Sequence, residues 1–382
     1  MALPASGAIS LFDVNDELGL SHSAQIGLLC TNVRTLFAVA SGAVGMTTGY
    51  GKSNTSVPGA PTIGTATATG ATTATVAFTA PGSNGGLTIT SYTAVSSPGG
   101  ITGTLSQAGS GTITVSGLSG ATSYTFTVYA TNSKGNSSSS SSSNSITTTP
   151  VIGASYGGGY FAGQISTSGN SVANYNLVIG PKASAQSSKA YSTSGVSYLS
   201  TISSLIDGPT NTTNMYNNYS SNYAAATFTK GLSVGGYSDW YLPAKNELEV
   251  CYYNLKPTVN SNQPYSSHGL SSGVNANAVP ARSSPYPAAV QQPPPKTDPT
   301  YFNPSQTSAS AFQWRGPGYT QGTEIFSPNN FYWSSSMYDY STTWAQYMDR
   351  PDNGAGTAPS GGQYTLSMSY SFYVRAVRRV AV

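Results

Sequence analysis

Residues 235–250 read GGYSDWYLPAKNELEV. Only 7% of the chain is charged, yet Asp239, Lys245, Glu247 and Glu249 gather in this one stretch. A typical soluble domain carries about 25% charged residues, so the concentration is a signal. The stretch reads as a lead-in followed by a helix. Pro243 suits a first helical turn, where its missing N–H is not needed. Glu247 and Glu249 fall near the helix start, where the dipole favours carboxylates. Leu248, Cys251, Tyr252 and Leu255 recur at i, i+3, i+4 and i+7, which predicts one apolar face. Lys256 and Pro257 predict its end. Trp240 and Leu242 are expected to anchor the lead-in in a core, and Asp239 to cap or accept backbone hydrogen bonds. We read the motif as scaffold ahead of ligand contact, because buried aromatics serve packing first.

Composition sets the wider frame. The 382 residues are enough for two or three domains. Glycine (42) and tyrosine (27), with Ser, Thr and Asn, take the place of charge. Disordered chains are poor in aromatics. An aromatic content of 11% instead predicts folded, β-rich domains with many loops. Tyr, Ser, Gly and Asn are also the residues of binding surfaces, where tyrosine offers rigid contact area at low entropic cost. The net charge of +3 is too small to point to nucleic acid or an anionic membrane. The apolar stretch at 23–46 is broken by Asn32, Arg34 and glycines, so no membrane insertion is expected. Cys30 and Cys251 read as free buried thiols, and neither CxxC nor a Cys/His zinc pattern is present. No metal and no cofactor are expected. MALPASGAISLFD lacks a basic n-region and a long apolar core, so no secretory signal is read there. An extracellular character without an export signal fits a virion component released at host lysis.

Three segments follow one another. Residues 1–56 contain ISLFDVNDELG, with a helix expected to begin near Asp13 or Asn15 and stop at Gly19. NVRTLFAVASG predicts a second helix, with Val33, Leu36, Phe37 and Ala40 on one face. So small a segment is a docking element rather than a domain. Its SGAISLFDVNDELG phrase resembles the N-terminal region of tailed-phage structural proteins, which implies attachment to other virion proteins through residues 1–56. Residues 57–150 carry one charged residue, Lys134. Their short alternating runs, among them ATVAFTAP, LTITSYTAV, GTITVSGL and YTFTVYATN, are separated by turn residues, as in a β-sandwich. Tyr124, Phe126, Val128 and Ala130 alternate on one face. The segment resembles the fibronectin type III family, with Leu118 and Tyr124 at the spacing of that family's tyrosine corner. The family's core tryptophan is missing, and Phe78 or Val76 is expected in its place. The serine run 137–143 reads as an exposed loop.

Residues 151–382 open with GGGYFAGQIS and VANYNLVIG, both strand candidates. A polar, proline-rich stretch at 256–330 is either a surface excursion or a packed loop carrying Tyr301, Phe302, Phe312 and Trp314. SFYVRAVRRV reads as one terminal strand, with Phe372, Val374, Ala376 and Val380 alternating with Tyr373, Arg375 and Arg379. GGYSDWYLPAKNELEVCYYNL, YWSSS and FYVRAVRRV, in this order, resemble the DUF1566 family, whose fold is related to C-type lectins and formylglycine-generating enzymes. The resemblance implies an α+β C-type-lectin-like domain with a small twisted sheet, one or two helices and ligand-presenting loops. It also makes Arg375 and Arg378 structural, bonding across to loops or to Asp239.

No enzyme is expected. His22 and His268 stand in separate segments without a catalytic pattern around them. The resemblance implies no formylglycine chemistry, because the reactive cysteine pair is absent. Asp339, Asp349, Asp352 and Glu324 lack the motif of a glycosidase pair. Neither EPN nor QPD occurs, and SPNN at 327–330 lacks the carboxylate of a calcium triplet. The expected ligand surface is the segment 333–353. There Trp333 and Trp344 read as core, and Tyr338, Asp339, Tyr340, Asp349 and Arg350 as exposed. Aromatic faces stack on sugar rings and polar groups bind hydroxyls, while the same residue types make protein hot spots. Trp314 and Tyr319 are second candidates. The reading is multidomain, with a short docking segment, an all-β sandwich and an α+β head. It makes the protein a virion adhesin and homotrimer that binds a host-surface glycan or protein. The alternative is a purely structural decoration, whisker or neck protein.

Overall fold

The computed structural model describes residues 11–20, 31–37, 55–193, 200–258, 273–286, 304–314, 320–327, 330–348 and 361–382. The chain divides into two units, Met1–Thr149 and Pro150–Val382. The first unit starts with two short helices, α1 (Leu11–Glu17) and α2 (Thr31–Phe37). Helix α1 begins earlier than Asp13, because Leu11 and Phe12 are already helical. Val14, Val33 and Leu36 are buried. Ala40 lies outside the described residues.

Alternation then builds a sandwich. Strands β1 (Thr62–Ala68), β2 (Thr73–Thr79) and β5 (Gly111–Ser116) form one sheet. Strands β4 (Thr102–Leu105), β3 (Ser91–Ser97), β6 (Ser123–Asn132) and β7 (Gly135–Asn136) form the other, with β8 (Ile146–Thr147) against β6. The inward residues Tyr124, Phe126, Val128 and Ala130 meet Ala74, Val76, Phe78, Ile113 and Val115 in one core. Phe78 and Val76 are both buried, and Phe78 lies 4.2 Å from the Tyr92 ring, centroid to centroid. The Tyr124 hydroxyl accepts from the Ser119 N–H at 3.0 Å, which forms the expected corner.

The serine run is the exposed loop expected, and it also seals the open edge of β6. The N–H groups of Ser137, Ser140 and Ser143 donate to the carbonyls of Ala130, Val128 and Phe126 at 2.8, 2.9 and 2.8 Å. Their hydroxyls accept from the N–H groups of the same three residues at 3.0, 2.9 and 3.0 Å. Every third serine thus replaces a partner strand's carbonyl with its own Oγ. Asn144 continues the seal to β1, accepting from Ala66 N–H at 2.8 Å and donating to its carbonyl at 3.0 Å. Unpaired strand edges invite association, and this one is covered.

On the opposite side, β4 closes on β5 at Gly103, where a Cβ would stand 2.2 Å from the Thr114 carbonyl oxygen. Gly103→Ala is expected to cost about 1–3 kcal/mol through overpacking. A Cβ at Gly82 meets nothing within 4 Å, so Gly82→Ala serves as the control. Urea unfolding of the two variants checks this.

The described residues of the second unit form two sheets. Strands β9 (Ser155–Tyr156), β10 (Gly159–Ile165), β11 (Tyr175–Ile179) and β17 (Val377–Ala381) make the first, in the order β17-β11-β10-β9. The second comprises β12 (Gln186–Ala190), β13 (Phe331–Met337), β14 (Thr342–Tyr347), β15 (Gln363–Ser367) and β16 (Ser371–Arg375), in the order β12-β16-β13-β14-β15. Helices α3 (Lys182–Ala185), α4 (Gly208–Tyr219), α5 (Ala224–Lys230) and α6 (Lys245–Leu255) complete it. The expected face of α6, Leu248, Cys251, Tyr252 and Leu255, is buried against Leu177, Ile179, Phe312 and Tyr332.

Two expectations fail locally. Pro243 lies outside α6 rather than in its first turn. Ala244 is the extended N-cap, and the Pro243 carbonyl accepts from Ser335 N–H at 2.7 Å. SFYVRAVRRV is not one strand but two, β16 and β17, in different sheets. The chain changes sheet at buried Ala376, whose N–H and C=O bond Ala185 and Gly180. Alternation misled here because Arg375 and Arg378 are buried like apolar residues.

Candidate functional site

The lead-in to α6 spreads its side chains into three cores. Trp240 joins Val178, Ala185 and Ala376, Tyr241 joins the α6 face, and Leu242 joins Tyr191, Met215, Trp333 and Val374. Of the charges of the stretch, Lys245, Glu247 and Glu249 turn inward with them, while Asp239 stays exposed. Glu247 is fully buried, and its carboxylate accepts from Tyr241 Oη at 2.7 Å, Ala244 N–H at 2.8 Å and Arg379 Nε at 2.8 Å. Burial raises the Glu247 pKa, and Arg379, Tyr241 and the Ala244 N–H oppose that shift. Burial by itself would lower the Arg379 pKa, but Glu247 beside it holds the guanidinium above its usual value. Glu249, also buried, accepts from Tyr286, from Arg282 and from Asn275 at 2.7 Å. Glu247 is in the first turn of α6, as expected, and its carboxylate takes the N-cap amide, but both glutamates are buried and engage side chains far away in sequence.

The remaining arginines are paired as well. Asp239 takes a bidentate bond from Arg378 at 2.7 and 2.9 Å, so the expected link to the closing phrase is made. Arg375 donates to the Gly180 carbonyl and to Glu324, through its backbone oxygen and carboxylate, at 2.6–2.9 Å. Each of the four arginines described in this unit therefore lies against a carboxylate. Cys251 is free and buried, and burial pushes its thiol pKa up, which makes it unreactive.

YWSSS acts on the same node. The register of β13 against β14 shifts between Trp333 and Met337, so Ser334, Ser335 and Ser336 form a buried bulge. Ser336 Oγ accepts from the first N–H of α6, at Lys245, at 3.0 Å and donates to the Ser204 carbonyl at 2.6 Å. Asn211 of α4 donates to Ser335 Oγ at 3.2 Å. Removing one partner from a buried ion pair strands the other. Arg379→Met is accordingly expected to destabilise the chain by about 3–5 kcal/mol in urea unfolding.

The first of the predicted ligand residues stand at the end of the five-stranded sheet. The turn between β13 and β14 is tight, and Asp339 closes it. Its Oδ1 accepts from Ser341 N–H at 2.7 Å, Ser341 Oγ at 3.0 Å and Thr342 N–H at 2.7 Å. The turn between β15 and β16 lies beside it, since Met368 N–H donates to the Ser341 carbonyl at 3.2 Å. Ser192, beyond β12, donates from its N–H to the Met368 carbonyl at 3.1 Å. Three segments are thus stitched side by side by their backbones. From this platform Tyr338, Tyr340 and Tyr370 project, with exposures of 39%, 75% and 57%. Tyr338 stands edge-on to Trp344 at 5.5 Å, and Lys245 Nζ lies 5.0 Å over that indole. Trp333 and Trp344 are buried.

Of the predicted ligand residues, the structure thus brings Tyr338, Asp339 and Tyr340 together on one turn. Asp339 closes that turn. Trp314 is half-buried elsewhere, its N–H bonded to the Pro257 carbonyl at 2.8 Å. Tyr319, Asp349 and Arg350 lie outside the described residues. Tyr370 was missed. Its signal is a tyrosine placed between serines, in SMSYSF, just before a strand. Two shallow hollows of about 290 and 330 Å³ share Tyr253 as a wall, and no predicted residue lines either. Among the described residues no group of His, Cys, Asp or Glu is placed to hold a metal, and no helix is long and apolar enough to cross a membrane.

Partial burial pushes the Asp339 carboxyl up, but its bonds from Ser341 and Thr342 outweigh that and hold it below the usual value. A depressed folded pKa stabilises above the unfolded value, about 3.9, and that contribution is lost as pH falls through the folded one. Protection of the Ser341 and Thr342 amides, taken relative to an unprotected amide at the same pH, is therefore expected to fall only below about pH 4. In Asp339→Asn this dependence should disappear.

Comparison with known proteins bears on the first unit. The Fibronectin type III domain family model matches residues 59–146. No curated protein matches the chain. Among solved structures, titin kinase with its flanking domains is 28% identical at a TM-score of 0.21, covering 24% of this chain and 17% of its own. Further titin domains are 30% identical at 0.22, covering 24% of this chain and 32% of theirs. A human fourth FNIII domain is 24% identical at 0.22, covering 27% of this chain and 88% of its own. The chain thus spans less than a third of either titin structure. With its two sheets, its tyrosine corner and this match, the segment 59–146 is a fibronectin type III domain within a multidomain chain.

Proposed function

We propose that the protein is an adhesive fibre component of a virus particle. Residues 1–56 dock it to other virion proteins, the fibronectin type III domain serves as spacer, and the second unit, C-type-lectin-like, recognises a host-surface receptor. Recognition is non-covalent, and assembly as a homotrimer multiplies weak contacts into avidity. The observation that supports this reading is the platform of Tyr338, Tyr340 and Tyr370. Exposed tyrosines on a rigid scaffold supply contact area at low entropic cost.

Labelled full-length protein is expected to bind saturably to cells of at least one strain in a panel of bacteria. Tyr340→Ala should weaken that binding about tenfold, the loss of one hot-spot residue, with an unchanged circular dichroism spectrum. No binding to any strain, together with tight capture by a purified virion protein, would make the chain a structural decoration instead.

A further inference from the structure

We infer that the ligand of the tyrosine platform is an uncharged saccharide chain, laid across Tyr340 and Tyr370 with hydroxyl contacts from the serines between them. The inference rests on the receptor-binding reading and narrows it to one chemistry.

The shape of the surface comes first. Tyr340 and Tyr370 stand on two neighbouring turns joined by the Met368–Ser341 backbone bond. Both rings are more than half exposed. Neither described hollow opens between them. A small molecule seeks a concave site that buries most of its surface. A platform of this kind suits an extended chain that offers one face at a time. Tyr370 is held against Phe372 at 5.8 Å between centroids, so its orientation is set before a ligand arrives. Ring faces of this kind take the C–H faces of pyranoses.

Polar groups at the same place complete the match. Ser367 Oγ and Ser369 Oγ lie 3.0 Å apart, exposed, on the turn that carries Tyr370. Ser341 Oγ lies on the turn that carries Tyr340, bonded to Asp339. Hydroxyls both donate and accept, which is what the hydroxyl rows of a sugar need.

Charge then separates the candidates. Asp339 is the carboxylate of this turn, and its Oδ1 is occupied by three turn bonds. Lys245 is buried over Trp344, and Lys189 of β12 leans over the Phe228 ring at 5.7 Å. The four arginines described in this unit are engaged by carboxylates. Among the described residues an anionic polymer would find no unpaired guanidinium of this unit here, and a protein hot spot would ordinarily pair its tyrosines with arginine. Neutral saccharide asks for neither.

The test uses the full-length chain on a printed array of neutral, sialylated and sulfated oligosaccharides, and on bacterial cells. Neutral spots should bind. Raising salt from about 0.1 M to about 1 M should change affinity less than about twofold, since screening has no ligand charge to act on. Tyr340→Ala and Tyr370→Ala should each lose about tenfold. The phenylalanine variants keep the ring and should stay within about threefold. Cell binding should be abolished by periodate and survive protease. Binding confined to sialylated or sulfated spots, or lost about tenfold with salt, would overturn the neutral ligand and leave the receptor reading standing. So would cell binding that survives periodate but not protease, which points to a protein receptor. Alanine variants that bind as well as the parent would remove the platform from the site. Failure to bind array and cells alike would overturn both readings.

Discussion

The carboxylate of Glu247 is the point on which the second unit turns. It sits out of water with three donors around it, from Tyr241, Ala244 and Arg379. A carboxylate so placed is tolerable only with its partners in position, because an isolated buried charge costs several kcal/mol. Those partners come from the lead-in, the helix cap and the last strand, so the charge can be satisfied only when all three have met. Backbone makes the same junction, since Tyr241 and Val377 exchange N–H···O bonds at 2.9 and 3.0 Å. Gly208, at the start of α4, must also lack a side chain, because a Cβ there would meet Glu247 Oε2 at 2.4 Å. The buried serine bulge of YWSSS then binds the first amide of α6 from a third direction. Three phrases far apart in sequence are one structural node.

This node explains the composition. In a chain with 7% charged residues, the four arginines described in the second unit are all paired with carboxylates, three of them with buried glutamates. What stays at the exposed sheet end is tyrosine and serine. Buried ion pairs add little net stability over well-packed apolar residues, but they penalise wrong pairings heavily. Their use here fits specification of one arrangement among loop-rich alternatives, in a unit whose strands are short.

Period-2 alternation along β6 and the i, i+3, i+4, i+7 face of α6 were legible because each element buries one face against one core. The roles of Glu247 and Glu249 were not. A glutamate at a helix start reads as a dipole partner, and nothing local reveals Arg379 or Arg282 as its counter-ion. The same blindness joined β16 to β17, since arginines at 375 and 378 look solvent-facing until their carboxylates are placed. Serines 137, 140 and 143 escaped for a related reason. Their period of three belongs neither to a strand nor to a helix, and it acquires meaning only against the two-residue period of β6. At the candidate site, Tyr338 and Tyr340 were found from residue type, while Tyr370 needed the fold to bring its turn alongside.

The platform itself is built in a way that separates folding from recognition. Its segments are joined by backbone bonds, from Ser192 to Met368 and from Met368 to Ser341, and these do not depend on which side chains project. Asp339 closes its turn with one carboxylate oxygen while the neighbouring rings point outward. Exposed turn positions cost little when changed, usually within about 0.5 kcal/mol. Glu247, Arg379 and Ser336 have no such latitude, because each completes a buried bond. The side chains at Tyr340 and Tyr370 can therefore change without changing the fold beneath them. Within GGYSDWYLPAKNELEV, by contrast, Trp240, Tyr241, Leu242, Glu247 and Glu249 are all buried, so a change of side chain there would reach the core.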